Sequence, residues 1–295
     1  MIAEAAPDVL VLQDIDYDAG GAALNALTQN LMVAGVDYPH SFAARPNAGL
    51  STGLDLNGDG RKGDPRDAQG YGRFLGDGGM AVLSRFPIGP VTDLSKLLWR
   101  DLPGATPPPM PPEVAAVQRL SSVAHWIVPI ETPRGTLTLL PWHATPPVFD
   151  GPEDRNGRRA NDEAALWLRL LDGALDVPAP ESRFAVIGVG NVDPEDGEGR
   201  REAIDALLSD PRLQDPAPRS DGAAADADPD HIGDPSLDTV DYDETPGNLR
   251  VSFILPSADL TVQDAGVLWP VDLSRFGAPD DLPRHRLVWV DLALD

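Results

Sequence analysis

The chain has 295 residues, a formal net charge of −24 and no cysteine. The lack of cysteine excludes disulfides, thiolate zinc sites and cysteine nucleophiles, and the negative charge disfavours general binding to nucleic acids or anionic membranes. The 28 Gly and 31 Pro residues predict a globular fold rich in loops rather than a disordered chain. No apolar stretch approaches the roughly 18 residues of a membrane span. No signal-peptide pattern opens the chain, and the compartment stays open.

Strand-like segments outnumber helical ones. Runs rich in β-branched residues and bounded by turn residues predict strands at residues 8–13, 79–84, 123–130, 136–142, 184–188, 250–255, 259–263 and 287–292. Apolar residues at helical spacing predict helices at residues 22–33, 163–171 and 201–208. This order predicts an α/β fold, either two sheets packed face to face with helices outside or one mixed sheet.

Three loops are expected between these elements. Residues 101–112 are rich in proline, residues 144–160 hold a Pro-Pro pair and an arginine cluster, and residues 215–248 are strongly acidic. The last loop has nine carboxylates between Asp221 and Glu244, with Arg219 as its only Lys or Arg. No internal repeat or linker is evident, so residues 1–295 are expected to form a single domain.

Six segments in order resemble the endonuclease/exonuclease/phosphatase family, which also contains sphingomyelinases and inositol polyphosphate phosphatases. They are residues 7–14, 79–88, the strand ending in His143, and residues 187–194, 249–256 and 285–291. The resemblance implies a four-layer α/β/β/α sandwich of two mixed sheets flanked by helices. It also implies phosphoester hydrolysis assisted by one or two divalent metals, usually Mg²⁺.

The resemblance assigns site residues and also shows departures from the family pattern. It implies Asp14 as a metal ligand and His143, Asn191 and His285 as catalytic residues. Asp14 stands where the family has a longer Glu, and three expected carboxylates are replaced by Val189, Ser252 and Arg284. The family's first strand, which ends in an Asn, is expected to lie before Met1, so the N-terminal strand is predicted to be missing.

Each of these residues also has an ordinary structural interpretation. Asn191 fits a turn cap, and His143 and His285 fit buried structural histidines. His40, His125 and His231 have no supporting context and are interpreted as structural or surface residues.

A second motif resembles the first half of an EF-hand calcium loop. Asp55, Asn57 and Asp59 occupy positions 1, 3 and 5, and a glycine occupies position 6. Position 12 is an arginine rather than the bidentate Glu, so the motif is not an EF-hand, but Asp64 or Asp67 is available as a further carboxylate. The pattern predicts a calcium loop, with a solvated turn as the alternative.

An arginine cluster follows His143 in an otherwise acidic chain. Arginine binds phosphate in bidentate fashion, so Arg158 and Arg159 are candidates for contacts to a substrate phosphate. The alternative is a loop at a helix start in which the arginines pair with nearby carboxylates, namely those of Glu153, Asp154 and Asp162.

Three functions follow from these patterns. The first is a Mg²⁺-dependent phosphoesterase, and the second is a catalytically degraded relative, a pseudoenzyme, with weak or no activity. The third is a non-catalytic, cation-dependent binding module that uses the Asp55–Asp64 loop. The replacement of expected carboxylates favours the second function, the degraded relative. The acidic charge favours a small phosphoester or a lipid headgroup over long nucleic acid.

Overall fold

The computed structural model describes residues 1–242, 245–277 and 282–294. Its strands are β1 (Val9–Ile15), β2 (His40–Ala43), β3 (Gly79–Ser84), β4 (Thr92–Asp93), β5 (Trp126–Thr132), β6 (Gly135–His143), β7 (Phe184–Val189), β8 (Val240–Asp241), β9 (Asn248–Leu249), β10 (Ser252–Pro256), β11 (Thr261–Leu268) and β12 (Leu287–Ala293). Its helices are α1 (Ile2–Ala5), α2 (Ala22–Val33), α3 (Pro112–Ala115), α4 (Arg155–Leu171), α5 (Glu202–Ser209) and α6 (Asp221–Ala225).

Two sheets form the centre of the molecule. A three-stranded antiparallel sheet has the order β1-β3-β2, and a five-stranded mixed sheet has the order β10-β7-β6-β5-β4. β6 and β7 are parallel, and parallel neighbours need a long crossover connection, which α4 supplies. β11 pairs with β12, and β8 pairs with β9, in separate two-stranded units.

The hydrophobic core is divided by the sheets. Met80 and Val82 of β3 share one cluster with residues of β5, β6 and β7, whereas Leu83 belongs to a different cluster with residues of α2. Side chains alternate between the two faces of a strand, so β3 contacts the second sheet on one face and α2 on the other. α4 and α5 pack in a third cluster with residues of β6 and β7.

The mixed α/β class, with sheets flanked by helices, is confirmed, while the number of layers and the single domain stay predictions. α2 and β3 have the predicted bounds. α4 begins at Arg155, well before the predicted residue 163. The sequence did not predict its first two turns because their residues are polar, although Arg159 is buried. β2 was missed because it has only four residues.

The acidic segment is also more ordered than expected, since α6 and β8 lie within it. Two of its residues, Asp243 and Glu244, lie outside the described residues. None of the helices in the described ranges is both long and apolar enough to cross a bilayer.

Candidate functional site

The carboxyl ends of β6 and β7 lie side by side at one edge of the five-stranded sheet. The strands run parallel, with His143 opposite Val189. β10 runs antiparallel to β7 and places Ser252 opposite the same valine. Ligands of α/β sheets commonly bind outside the carboxyl ends of the strands, so this edge, called the strand-end cleft below, is the candidate site.

Asn191 ties together the loops that follow these two strands. Its Nδ2 donates a hydrogen bond to the carbonyl oxygen of Ala144 at 2.6 Å. The Ala144 amide in turn donates to the Val189 carbonyl at 2.9 Å. Asn191 has a φ of 55°, in the left-handed region that asparagine adopts more readily than most residues. Its side chain therefore bridges two loops rather than only capping its own turn.

His143 and His285 are half-buried residues whose Nδ1 atoms are buried and unsatisfied among the described residues. Burial, with a smaller contribution from the His285 ring, lowers the pKa of His143 from 6.5 to about 4, and burial with the Arg286 charge lowers the pKa of His285 to about 4. The His285 Nε2 lies 3.4 Å from the Tyr242 hydroxyl. Two neutral imidazoles are thus placed near each other at pH 7.

The end of β1 lies beside the end of β6. The Gln13 Nε2 donates to the Trp142 carbonyl oxygen at 3.3 Å, while its Oε1 is buried without a partner in the described part of the chain. Asp14 follows at an irregularity of the β1–β3 pairing. Its pKa is raised by burial and by the carboxylates of Asp16 and Asp77. The Asp14 carboxyl group therefore lies among other carboxylates.

Val189, Ser252 and Arg284, the three residues expected to replace carboxylates, have different surroundings. Val189 is buried in an apolar cluster with Val240, Leu249 and Val251. Ser252 is buried beside it. Arg284 is exposed, directly precedes His285 in the chain, and its charge affects the pKa of Tyr242. The strand ends thus bring together two imidazoles and an amide, and the Asp14 carboxyl group lies near the carboxylates of Asp16 and Asp77.

A family model described as the endonuclease/exonuclease/phosphatase family matches residues 1–276. The chain belongs to this family. No curated protein matches the chain in sequence.

Solved structures of the family share the fold. A family protein from Beutenbergia cavernae DSM 12333 has 17% identity and a TM-score of 0.58, covering 99% of this chain and 64% of its own. A family protein from Leptotrichia buccalis C-1013-b has 14% identity and a TM-score of 0.54, with coverages of 99% and 89%. The 3′ phosphatase NExo from Neisseria, bound to a product DNA hairpin, has 17% identity and a TM-score of 0.52, with coverages of 99% and 91%. The chain thus spans less than two thirds of the Beutenbergia protein.

The donors in this chain do not fit the divalent metal that the family implies. Mg²⁺ prefers octahedral oxygen coordination and is commonly held by one or two carboxylates. Within the described ranges, no group of three or more His, Asp or Glu side chains is arranged to hold a metal ion. Asp14 is the one metal ligand that the sequence predicts, and its pKa is raised, which favours the neutral carboxylic acid over the carboxylate that a metal needs.

The two candidate phosphate-binding arginines have different surroundings. Arg159 is buried, and its guanidinium donates to backbone carbonyl oxygens, those of Leu120, Gln69, Arg119 and Ser121. Arg158 is more exposed and donates to the carbonyls of Glu153 and Thr106. The structure does not bring either arginine into contact with the cleft histidines, and the Arg159 contacts favour a structural role. Both residues lie in α4 rather than in the expected loop.

The Asp55–Asp64 loop directs its carboxylates toward its own backbone. Asp55 accepts hydrogen bonds from the amides of residues 58, 59 and 60. Asn57 accepts one from the Asp59 amide. Asp59 and Asp64 each have an oxygen within 3.4 Å of the Arg66 guanidinium. These groups are engaged by the backbone and by Arg66, and no group of three or more His, Asp or Glu side chains in the described residues is arranged to hold a metal ion, so calcium binding by this loop stays a prediction.

Sequence reasoning missed a buried polar network behind the cleft. The carboxylate of Glu163 accepts bonds from the Ser122 hydroxyl at 2.8 Å and from the Thr145 amide at 2.7 Å. The Ser122 hydroxyl also lies 3.2 Å from the His143 carbonyl oxygen. This network therefore holds the end of β6 against α4. Its partners come from distant parts of the chain, and a charged residue in a helix gives no sequence signal that distinguishes it from a surface residue.

Proposed function

We propose that this chain is a phosphoester-binding member of the endonuclease/exonuclease/phosphatase family whose hydrolytic activity is weak or absent. The observation that carries the proposal is the composition of the strand-end cleft. His143 and Asn191 lie at the ends of β6 and β7, the His285 ring is near enough to His143 to lower its pKa, and Val189 packs in an apolar cluster where a metal-binding carboxylate would be needed.

The expected loss of activity follows from electrostatics. A phosphoryl transition state carries concentrated negative charge, which a divalent metal or a cluster of cations must stabilise. Removing one preorganised stabilising group commonly lowers the rate by about 10²–10³-fold. Val189, Ser252 and Arg284 replace three such groups, so little turnover is expected.

The remaining residues suit the binding of a phosphate group. An imidazole nitrogen without a hydrogen-bond partner suits a bond to a phosphate oxygen, and both His143 and His285 have such a nitrogen among the residues that the structure describes. Arg284 adds a positive charge next to His285. A bound anion favours the imidazolium form, so phosphate affinity is expected to increase as the pH falls from 7 toward 5. The negative charge of the chain favours a small phosphoester or a lipid headgroup over long nucleic acid.

The test is turnover of bis(4-nitrophenyl) phosphate and of 4-nitrophenyl phosphate in Mg²⁺ or Mn²⁺, beside the variant His285→Ala. We expect turnover of both substrates to stay at the level of the variant. Calorimetric titration with inorganic phosphate should show binding that the variant weakens by about tenfold, the loss of roughly one charge-assisted hydrogen bond.

Metal-dependent turnover that disappears in His285→Ala would overturn the degraded-site proposal and establish an active hydrolase. Equal phosphate affinity in the parent and in His285→Ala would show instead that His285 is not part of the binding site. His40→Ala is the matched control, since His40 lies at the start of β2 and pairs with the last residue of β3.

A further inference from the structure

β1 and β12 each have one edge that no other strand of the described ranges covers. β1 pairs with β3 alone, and β12 pairs with β11 alone. β1 nevertheless begins with the run Val-Leu-Val-Leu, which is apolar on both faces. Such a run is typical of strands inside a sheet, whereas exposed edges usually carry charges or proline. β1 therefore has the composition of an interior strand and the position of an edge strand.

The hydrogen bonds between β1 and β3 show which backbone groups of β1 face outward. The Asp8 carbonyl oxygen accepts a bond from the Arg85 amide at 2.9 Å, so residues 8, 10 and 12 direct their backbone groups toward β3. Val9, Val11 and Gln13 direct theirs to the opposite side. No strand of the described chain pairs with them there.

The outer edge of β12 is open beyond its first residues. Where β12 begins, β8 covers this edge, since the Arg286 amide donates to the Thr239 carbonyl oxygen at 2.8 Å. Further along, the Val267 amide of β11 is turned away from its partner Val288 and bonds elsewhere. The backbone groups of Val288, and by alternation those of Val290, therefore also face away from β11.

The two open edges lie over neighbouring strands of the five-stranded sheet. β1 packs against β7, and β12 packs against β10, while β7 and β10 are hydrogen-bonded to each other. The side chains of Val9, Val11 and Leu292 contact the same hydrophobic cluster. β1 and β12 therefore flank one space above β7 and β10, which we call the strand gap.

The floor of the strand gap is incompletely covered. Ile187 is the one residue of β7, and Ile254 the one residue of β10, that is not fully buried. The two lie opposite each other in the pairing, so their side chains point to the same face. Ile187 packs against the cluster that β1 and β12 also contact. Partial exposure in the middle of two adjacent strands indicates that the layer above them lacks a strand.

The end of the strand gap nearest the cleft contains an unsatisfied acceptor. Gln13 shares a face of β1 with Val9 and Val11, and its Nε2 donates to the Trp142 carbonyl oxygen. Its Oε1 is buried without a hydrogen-bond partner among the described residues. Because buried acceptors are normally bonded, this atom favours an occupant with a side-chain donor at this end of the gap.

We propose that the strand gap binds an extended segment of a separate polypeptide by β-strand addition. Both walls present backbone donors and acceptors, which another extended backbone matches along its length. β1 and β12 have 7 residues each, which sets the length of the segment that fits. The isoleucine floor requires apolar side chains, and the net charge of −24 favours a neutral or basic segment.

A second copy of this chain fits the strand gap less well than a free segment. In each copy β1 and β12 already pack against the core, so neither strand is available to enter between the walls of another molecule. Two chains with a net charge of −24 also repel each other. An unstructured partner segment meets neither obstacle.

The test is calorimetric titration of the parent chain with the synthetic peptide acetyl-Lys-Leu-Val-Ile-Val-Val-Leu-Asn-Lys-amide. We expect one bound peptide per chain. The same peptide N-methylated at two central residues keeps its side chains but loses two backbone donors. It should bind about tenfold more weakly, because one hydrogen bond is worth up to about that factor. This comparison uses the unaltered protein and does not depend on how a variant folds.

A matched pair of variants locates the binding edge. Val11→Pro removes an amide that faces the strand gap, and proline is tolerated best at a strand edge. Affinity for the peptide should fall about tenfold. Ser41→Pro is the control, since the Ser41 amide faces away from β3 on the other edge of the same sheet. It should leave the affinity unchanged, and urea unfolding checks that both variants are folded.

Hydrogen exchange tests whether one peptide contacts both walls. We expect the amides of Val9 and Val11 in β1 and those of Val288 and Val290 in β12 to become protected together when the peptide binds. The Leu10 amide, which faces β3, should change little.

Four results overturn the proposal. They are the absence of peptide binding, equal binding of the N-methylated peptide, equal losses in Val11→Pro and Ser41→Pro, and protection confined to one of the two walls. Dimerisation of the chain without peptide, abolished by Val11→Pro, would assign the edge to a second copy and also overturn it. None of these measurements depends on phosphate binding, so the proposed function is tested separately.

Discussion

Two buried polar regions of this protein lie next to each other and differ in how their polar atoms are satisfied. Behind the cleft, the Glu163 carboxylate and the Arg159 guanidinium are surrounded by hydrogen-bond partners. In the cleft, the Nδ1 atoms of His143 and His285 and the Oε1 of Gln13 have none in the described part of the chain. The two regions are joined through the Ser122 hydroxyl.

The difference separates groups that maintain the fold from groups available to a ligand. A buried polar atom without a partner destabilises the folded chain by about 1–3 kcal/mol, whereas a satisfied one does not. A cluster of unsatisfied atoms at the strand ends is therefore expected where a ligand supplies the missing bonds. The following predictions test this division.

The largest loss of folding stability is expected from a substitution in the hydrogen-bonded region around Arg159 and Glu163. Arg159→Ala leaves the buried Glu163 carboxylate without its nearby cation and removes one donor from each of four carbonyls, three of which keep a bond from Gln118 or Asn47. Each hydrogen bond from a charged group to the backbone contributes about 1.5–3 kcal/mol, so the loss of several at once is expected to cost about 3–5 kcal/mol. Urea unfolding should show a decrease of this size for Arg159→Ala and less than about 1 kcal/mol for its neighbour Arg158→Ala. Equal effects of the two substitutions would show that the network does not stabilise the fold.

The second effect is a pH dependence of the unfolding free energy that arises from His285 in the cleft. The His285 pKa is about 4 in the folded chain against 6.5 when unperturbed, so the unfolded chain binds more protons between these values. Stability from this residue is present above pH 6.5 and is lost as the pH falls toward 4. Relative to the parent, His285→Ala should gain about 2 kcal/mol of unfolding free energy between pH 7 and pH 5.

Comparing the variant with the parent at each pH is necessary because Asp238 acts in the opposite direction. Burial and the neighbouring Asp193 carboxylate raise its pKa to about 7, so the folded chain gains stability from Asp238 as the pH falls through 7. A difference between His285→Ala and the parent that stays constant with pH would contradict a buried neutral imidazole.

The smallest effect is expected at the Asp55–Asp64 loop. The sequence predicts calcium binding, but the carboxylates there already accept backbone hydrogen bonds or contact Arg66. Melting temperatures in calcium and in a chelator should therefore agree within about 1 °C, because no binding energy is linked to folding. Stabilisation by calcium that Asp59→Ala removes would show that the loop rearranges around an ion.

The sequence was sufficient to predict the family, most strands and the residues at the strand ends. These predictions depend on local features, such as the continuous apolar run in residues 79–84 and the glycine and proline around Asn191. The burial of Arg159 could not be predicted, because its partners lie about 40 to 90 residues away in the chain. The same holds for Gln13, whose partner Trp142 lies in the other sheet.

The parallel pairing of β6 and β7 has a consequence for how the chain folds. β5 and β6 are joined by a two-residue turn and close a local hairpin, with Thr132 opposite Gly135. β7 and β10 pair only after much longer loops have closed, and loop closure opposes such contacts entropically. The hairpin that ends in His143 is therefore able to form early, while the cleft is complete only when β10 and the segment carrying His285 have docked.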